Sequence, residues 1–284
     1  MSIPLRSVIV LVVGSLAISS SCYAEDTVLK TLTTFRGEFV DIRPGQDGFP
    51  SEFQMGSESG SAAERPVHQV RVTRPFQISK YEVWQDLYEA VMGNNPSRWK
   101  GPRNSAEQMT WKDAVTFCQK ATELMRNHKL IAANETIRLP TEAEWEYCCR
   151  AGTQTAFSFG DQAQRPGEQA PKASLLDEYA WHTGNAAGND PAVGVLKPNP
   201  WGLYDVHGYL REYCLDEWNK DYKAASSDAH VPAKGDKDVH SIRGGSWRDS
   251  FVELRSAARQ GFRDTAVSDA VGFRCVLIAE KVDE

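Results

Sequence analysis

The sequence carries no GxGxxG loop, no GxxxxGK followed by Ser or Thr, no HExxH, no GxSxG and no EF-hand loop. Dinucleotide, nucleotide, zinc-protease and serine-hydrolase chemistries therefore lack the residues they need. Positive charge is in deficit: 32 Lys and Arg stand against 38 Asp and Glu, a net charge of −6. Such a chain offers no footprint for a phosphate backbone, and no nucleic-acid partner is expected. Histidine is scarce, with six residues at 68, 128, 182, 207, 230 and 240, none of them at the i, i+4 spacing of helical metal ligands. Only a dispersed triad built on His182 or His207 stays open, against the plainer reading of hydrogen-bonded loop histidines. No period of 20–50 residues repeats and no Pro/Ser-rich linker divides the chain, which reads as one domain.

Long apolar runs are absent except at the start, where Arg6 precedes the run 8–13 and Cys22-Tyr23-Ala24 precedes Glu25-Asp26. This pattern reads as a secretory signal over residues 1–24, cleaved after Ala24. Ser19-Ser20-Ser21 is a poor lipobox for Cys22, and the apolar run is too short to span a bilayer. The expected product is residues 25–284, periplasmic, without a membrane anchor. In that oxidising compartment Cys118, Cys148, Cys149, Cys214 and Cys275 are candidates for disulfides, and their odd number leaves at least one outside any internal pair.

Residues from Val28 to about Val72 read as short strands broken by turns, with period-two alternation over His68-Gln69-Val70-Arg71-Val72. Three helices are expected. The first spans Glu82 to Met92 and stops at Gly93. The second, capped by Thr110, carries Ala114, Phe117, Cys118, Ala121 and Met125 on one face. The third is opened by the capping box Thr141-Glu142-Ala143-Glu144 and ends near Gly152. The following ninety or so residues are rich in Gly, Pro, Asn and Asp, with little periodicity. Trp181, Trp201, Trp218 and Trp247 favour ordered packing there over disorder.

Several motifs, in order along residues 38–278, resemble the formylglycine-generating enzyme family, also known as the sulfatase-modifying-factor fold. They are Met55-Gly56 with Glu64, Pro66, His68 and Val70, the run 78–83, the run Arg138-Leu139-Pro140-Thr141-Glu142-Ala143-Glu144-Trp145-Glu146-Tyr147, the run 198–208, Arg243-Gly244-Gly245-Ser246-Trp247, and Gly272-Phe273-Arg274-Cys275. The resemblance implies a single α+β domain related to C-type lectins, with little regular secondary structure. It also implies a Cys118–Cys275 disulfide, and a structural calcium held by Asp205 with the carbonyls of Val206, Gly208 and Leu210. Cys149 matches a cysteine whose family partner position is Ser256 here.

The family's oxidase activity depends on two cysteines soon after the Gly-Gly-Ser-aromatic motif. The matching stretch, 248–255, has none, and Arg211 stands where the family carries an active-site tryptophan. Thiolate nucleophile and soft-metal chemistry need sulfur, so formylglycine generation is not expected. In place of the cysteines, Glu253 beside Phe251 and Leu254 is the candidate general base, with Asp249 a weaker competitor. Trp247 and Phe251 are expected to stack on a flat substrate, while Ser246 and Arg211 contact it. A salt bridge for Arg211 and an arginine-paired loop role for Glu253 are the structural alternatives. Among exported family members the resemblance is to pyoverdine maturation. It implies oxidation of a peptide siderophore precursor, dihydropyoverdine to pyoverdine, with no cofactor required for the chemistry. The alternative is a non-catalytic ligand- or partner-binding module on a lectin-like fold.

Overall fold

The computed structural model describes residues 15–46 and 48–280, with side chains from Glu25 onward. The charged and apolar start of the expected signal, residues 1–14, lies outside the described residues. The backbone of Ser15–Gly37 forms one helix, α1, which runs through the expected cleavage junction after Ala24. This corrects the reading of strands from Val28. Val28, Leu32 and Phe35 follow the i, i+4, i+7 spacing of a helix face, and Leu32 and Phe35 are wholly buried in the main core. Each such side chain contributes roughly 1.5–3 kcal/mol on leaving water, so α1 from Val28 on is part of the folded body.

Three sheets follow. The first orders β1 (Phe39–Ile42), β4 (Phe76–Ser79), β10 (Val276–Ala279) and β5 (Glu135–Arg138), all antiparallel. The second pairs β2 (Glu52–Met55) with β3 (His68–Arg71), which carries the expected alternation. The third orders β8 (Arg259–Arg263), β7 (Asp236–Arg243), β6 (Arg211–Trp218) and β9 (Val271–Gly272), with β6 and β9 parallel. Strand β6 lies inside the stretch read as aperiodic. Its first four residues are buried whichever way they face, and a strand covered on both sides has no alternation to display.

The three expected helices form as α2 (Gln85–Met92), α3 (Trp111–Asn127) and α4 (Glu142–Arg150). Gly93 ends α2 in the left-handed region at φ 81°. Thr110 caps α3 by accepting the Asp113 N–H, and Thr141 caps α4 by accepting the Glu144 N–H. Helix α4 ties the molecule together because its three glutamates are all buried and all paired. Glu142 takes Arg259 of β8, Glu144 takes Arg138 of β5, and Glu146 takes Arg150 and Arg243 of β7. Arg138 and its neighbouring donors hold the Glu144 carboxyl down at about 2 against the pull of burial. Three strands, β5, β7 and β8, are thereby fixed around one short helix.

Candidate functional site

A cavity of about 340 Å³ opens where three irregular segments meet: the connection between α2 and α3, the loop 181–191, and the turn after β7. Trp99, Trp181, Trp247 and Tyr209 form its aromatic wall, and Glu107, Asp190 and Asp269 are its acids. The Gly244-Gly245 turn brings Trp247 there. Both glycines lie in the left-handed region, at φ 95° and 121°, and a Cβ on Gly245 would strike the Leu254 side chain at 2.7 Å. Beyond the turn, Ser246 bridges Tyr209, the Trp247 N–H donates to the Tyr209 carbonyl at 2.9 Å, and the indole Nε1 donates to the Asp269 carbonyl at 2.9 Å.

The acids are in unlike circumstances. Asp269 is neutralised by Arg98 at 3.1 Å and by Arg248. Glu107 is buried, and its Oε1 accepts the backbone N–H groups of Arg98 and Trp99, the latter at 3.0 Å, which holds Trp99 in the wall. Its Oε2 has no hydrogen-bond partner. Burial raises the Glu107 carboxyl above its ordinary value, and the nearby charge of Asp190 adds to the rise. Asp190 accepts from Asn104 Nδ2 at 2.6 Å and from the Tyr209 hydroxyl at 3.3 Å, and burial raises it too. Among the described residues neither Glu107 nor Asp190 has a cationic side chain bonded to it. Trp181 Nε1, also in the wall, lacks an acceptor. An aromatic wall with a buried carboxylate behind it suits a ligand that carries a ring.

Residues 38–279 match the sulfatase-modifying factor enzyme 1-like domain. The chain belongs to this family. It is 30% identical to the formylglycine-generating enzyme of Streptomyces coelicolor over 296 residues, covering 81% of this chain and 88% of that one. Bovine formylglycine-generating enzyme is 31% identical over 181 residues, 61% of this chain and 44% of its own. Chaperone protein LppX of Paenibacillus barcinonensis is 31% identical over 177 residues, and the match spans 62% of its length. Among solved structures, PvdO from Pseudomonas aeruginosa superposes with a TM-score of 0.70 at 25% identity, covering 84% of this chain and 93% of that one. The expected α+β architecture, a single domain of this family, is the one found.

Measured against that family, the sequence expectations divide. Trp247 and Leu210 line the cavity. Ser246 does not. It is fully buried, and its N–H and Oγ both donate to Asp249 Oδ2, so it closes the turn that carries Trp247. Arg211 is buried with its Nε on the same Asp249 oxygen at 3.0 Å, which makes Asp249 a bracket for the turn. Glu253 is corrected: its side chain is 50% exposed, 3.8 Å from Arg211 Nη2, and absent from the cavity wall. Phe251 is corrected with it, packing on the cluster formed by Phe157 and Leu254. Both follow from the short 3₁₀ turn Phe251–Leu254, which drives Leu254 inward beneath Gly245 and sends Glu253 to the surface. No pocket of apolar groups surrounds that carboxylate.

Among the described residues no cysteine lines the cavity of this sulfatase-modifying-factor domain. Cys118, Cys148, Cys149, Cys214 and Cys275 are buried, and burial pushes the Cys149 thiol up to about 12 and raises Cys148, Cys214 and Cys275 as well. Cys148, Cys149 and Cys214, so placed, are unreactive thiols. Cys118 and Cys275 face each other with 3.8 Å between sulfurs, and Cys149 meets Ser256. His182 is held by Asp177, and His207 by Ser158 and the Leu254 carbonyl. No three metal-ligating side chains converge among the described residues.

Of the residues in the expected calcium set, Asp205 has an oxygen that meets no donor among the described residues. Asp205 Oδ2 accepts the Gly194 N–H, while its Oδ1 is buried without a partner, and burial raises the carboxyl to about 6. Glu82 and Glu212 add negative charge, and among the described residues Arg274 is the cation that opposes it. The Val206 carbonyl accepts the Cys149 thiol at 3.6 Å and that of Gly208 accepts the Trp181 N–H at 3.1 Å. A hard cation fits the free Asp205 oxygen and the local acid excess.

Proposed function

We propose that this chain is an exported, periplasmic oxidoreductase that dehydrogenates a flat, electron-rich ring carried by a peptide, converting dihydropyoverdine to pyoverdine. The observation supporting it is the cavity walled by three tryptophans, with a partnerless Glu107 oxygen and no cysteine in its wall among the described residues. Such a wall stacks a catechol-type ring. In the reaction the substrate gives up two electrons and two protons. Glu107 accepts one proton in the site and passes it on, the second proton is released to water, and dioxygen takes both electrons and two protons and leaves as hydrogen peroxide. An ionised catechol is reducing enough to meet dioxygen directly, so the protein's task is to hold the ring and move the proton.

The test is incubation of the purified protein with dihydropyoverdine, followed by chromophore fluorescence and an oxygen electrode. One dioxygen should disappear per chromophore formed, at a rate insensitive to chelators selective for copper and iron. Binding of the precursor without oxygen uptake above a protein-free control would instead identify the lectin-like binding module.

Two structural proposals accompany this reading. A disulfide between Cys118 and Cys275, formed after export, closes a span of 157 residues and contributes roughly 3–5 kcal/mol. Non-reducing peptide mapping should recover the two in one linked fragment, and reduction should lower the urea midpoint. Calcium, bound through Asp205, should raise the melting temperature. Asp205→Asn retains an oxygen for Gly194 and should abolish most of that calcium-dependent rise.

A further inference from the structure

We infer that Asp269 is the positioning residue of the cavity: through Arg98 and Arg248 it holds the indoles of Trp99 and Trp247 at the spacing that admits a ring. The two indoles come from different segments, the α2–α3 connection and the turn after β7, and Asp269 is tied to both. Its Oδ2 accepts from Arg98 Nη1 at 3.1 Å and its Oδ1 from Arg248 Nη2. Each guanidinium lies over the indole next to it in sequence, with Arg98 Cζ 4.7 Å from the Trp99 ring centre and Arg248 Cζ 4.9 Å from that of Trp247. The Asp269 carbonyl adds a third tie by accepting the Trp247 indole N–H at 2.9 Å.

The carboxylate is a fixed post. Its side chain is only 7% exposed, and the residues beside it are pinned: the Ser268 carbonyl accepts the Gln108 N–H at 3.1 Å and the Ala270 carbonyl accepts the Arg211 N–H at 2.9 Å. Trp99, by contrast, is 45% exposed and is anchored through its backbone, by its N–H to Glu107 and its carbonyl to Gln85 Nε2. Those bonds set where the indole begins but not how it is turned. A half-exposed indole on a loop has several rotamers open to it, and a guanidinium held over one face removes most of them. Lysine has no flat face to lay there, so arginine suits both arms. A lone surface ion pair would be too weak to fix a ring. Here one shielded carboxylate serves two cations that also stack, so the hold on both walls converges on a single side chain. The arms themselves reach water, where salt screens them. The grip of the cavity on a ring should then depend on ionic strength even when the ring carries no charge.

The probe is un-ionised catechol, titrated calorimetrically under argon into the whole protein. The unaltered protein should bind it about threefold or more weakly at about 1 M than at about 0.01 M sodium chloride. Salting-out of an apolar ring acts in the opposite sense, so a loss of affinity reports the clasp. Asp269→Asn keeps the carbonyl that holds Trp247 and removes the charge. At low salt it should bind catechol about three- to tenfold more weakly, with no further response to salt and a smaller indole signal in near-ultraviolet circular dichroism. Arg248→Lys should keep the salt response and lose affinity. Salt-independent binding or no binding of catechol by the unaltered protein overturns the inference, as does a folded Asp269→Asn protein of undiminished affinity. Should Asp269→Asn lose its far-ultraviolet spectrum, the unaltered protein and Arg248→Lys decide. The kinetic consequence rests on the proposed reaction: Asp269→Asn should raise KM for dihydropyoverdine about three- to tenfold, with a smaller fall in kcat. Salt-dependent catechol binding without turnover would defeat that reaction and leave the clasp standing; turnover with KM unmoved in Asp269→Asn would do the reverse.

Discussion

Glu107→Gln should lower turnover of dihydropyoverdine by about 10²–10⁴-fold, the range associated with losing a positioned general base. Glutamine suits the test because it is nearly isosteric. Its carbonyl can still accept the Arg98 and Trp99 N–H groups that Glu107 Oε1 accepts, so the wall position of Trp99 is preserved. What disappears is the oxygen that can take a proton. The pH dependence supplies a second readout. Burial and the neighbouring Asp190 raise the Glu107 carboxyl, and a base works only when deprotonated. The rate should therefore fall on the acid side at a pH above the ordinary glutamate range, and that limb should vanish in the variant. Glu253→Gln, by contrast, changes a half-exposed group outside the cavity and should leave turnover within about twofold, since surface substitutions of this kind seldom matter. Wild-type rates from Glu107→Gln would remove the proton-transfer role.

Local signals held where one residue acts on its neighbours: Thr110 and Thr141 as caps, Gly93 as a terminator, and the apolar face of α3 from Ala114 to Met125. The Gly-Gly-Ser-Trp motif was legible as a site marker because only glycine fits that turn, and Trp247 does enter the cavity. Glu107 and Asp190 left no such mark. They sit in aperiodic connections 83 residues apart, and the burial of Glu107 arises only where the loop 181–191 packs against the α2–α3 connection. Glu253 misled for the complementary reason. Apolar neighbours in sequence suggested a pocket, but in a 3₁₀ turn adjacent side chains point in different directions, and Leu254 is buried while Glu253 is not. Helix α1 was hidden because its apolar spacing abuts the signal-like segment, whose composition dominated the reading.

Arg274→Met should cost about 3–5 kcal/mol of folding stability, the penalty typical of removing one partner from a buried ion pair. Arg274 is wholly buried between β9 and β10 and meets Glu212 through two bonds of 2.6 and 2.8 Å. It also donates to the carbonyls of Ser79, Lys80 and Tyr204, which would lose those donors together. The consequence extends beyond the pair because Glu82 and Asp205 lie in the same field. Burial already pushes Glu82 well above its usual range and Asp205 to about 6, and Arg274 is the cation opposing both shifts. Without it, in calcium-free buffer, three acids share a dry interior with no counter-charge. A raised folded-state pKa means that the folded protein binds more protons than the unfolded chain between the two pKa values, so stability from protonation is present at low pH and lost as pH rises. For Asp205 that window runs upward from the ordinary aspartate value through about 6, and removing Arg274 moves it higher. Urea unfolding of Arg274→Met should thus show its greatest deficit near pH 8 and a smaller one near pH 5. Arg274→Lys, which restores charge without the two-pronged geometry, should fall between. A deficit independent of pH would mean that the lost carbonyl contacts, and not the acids, set the cost.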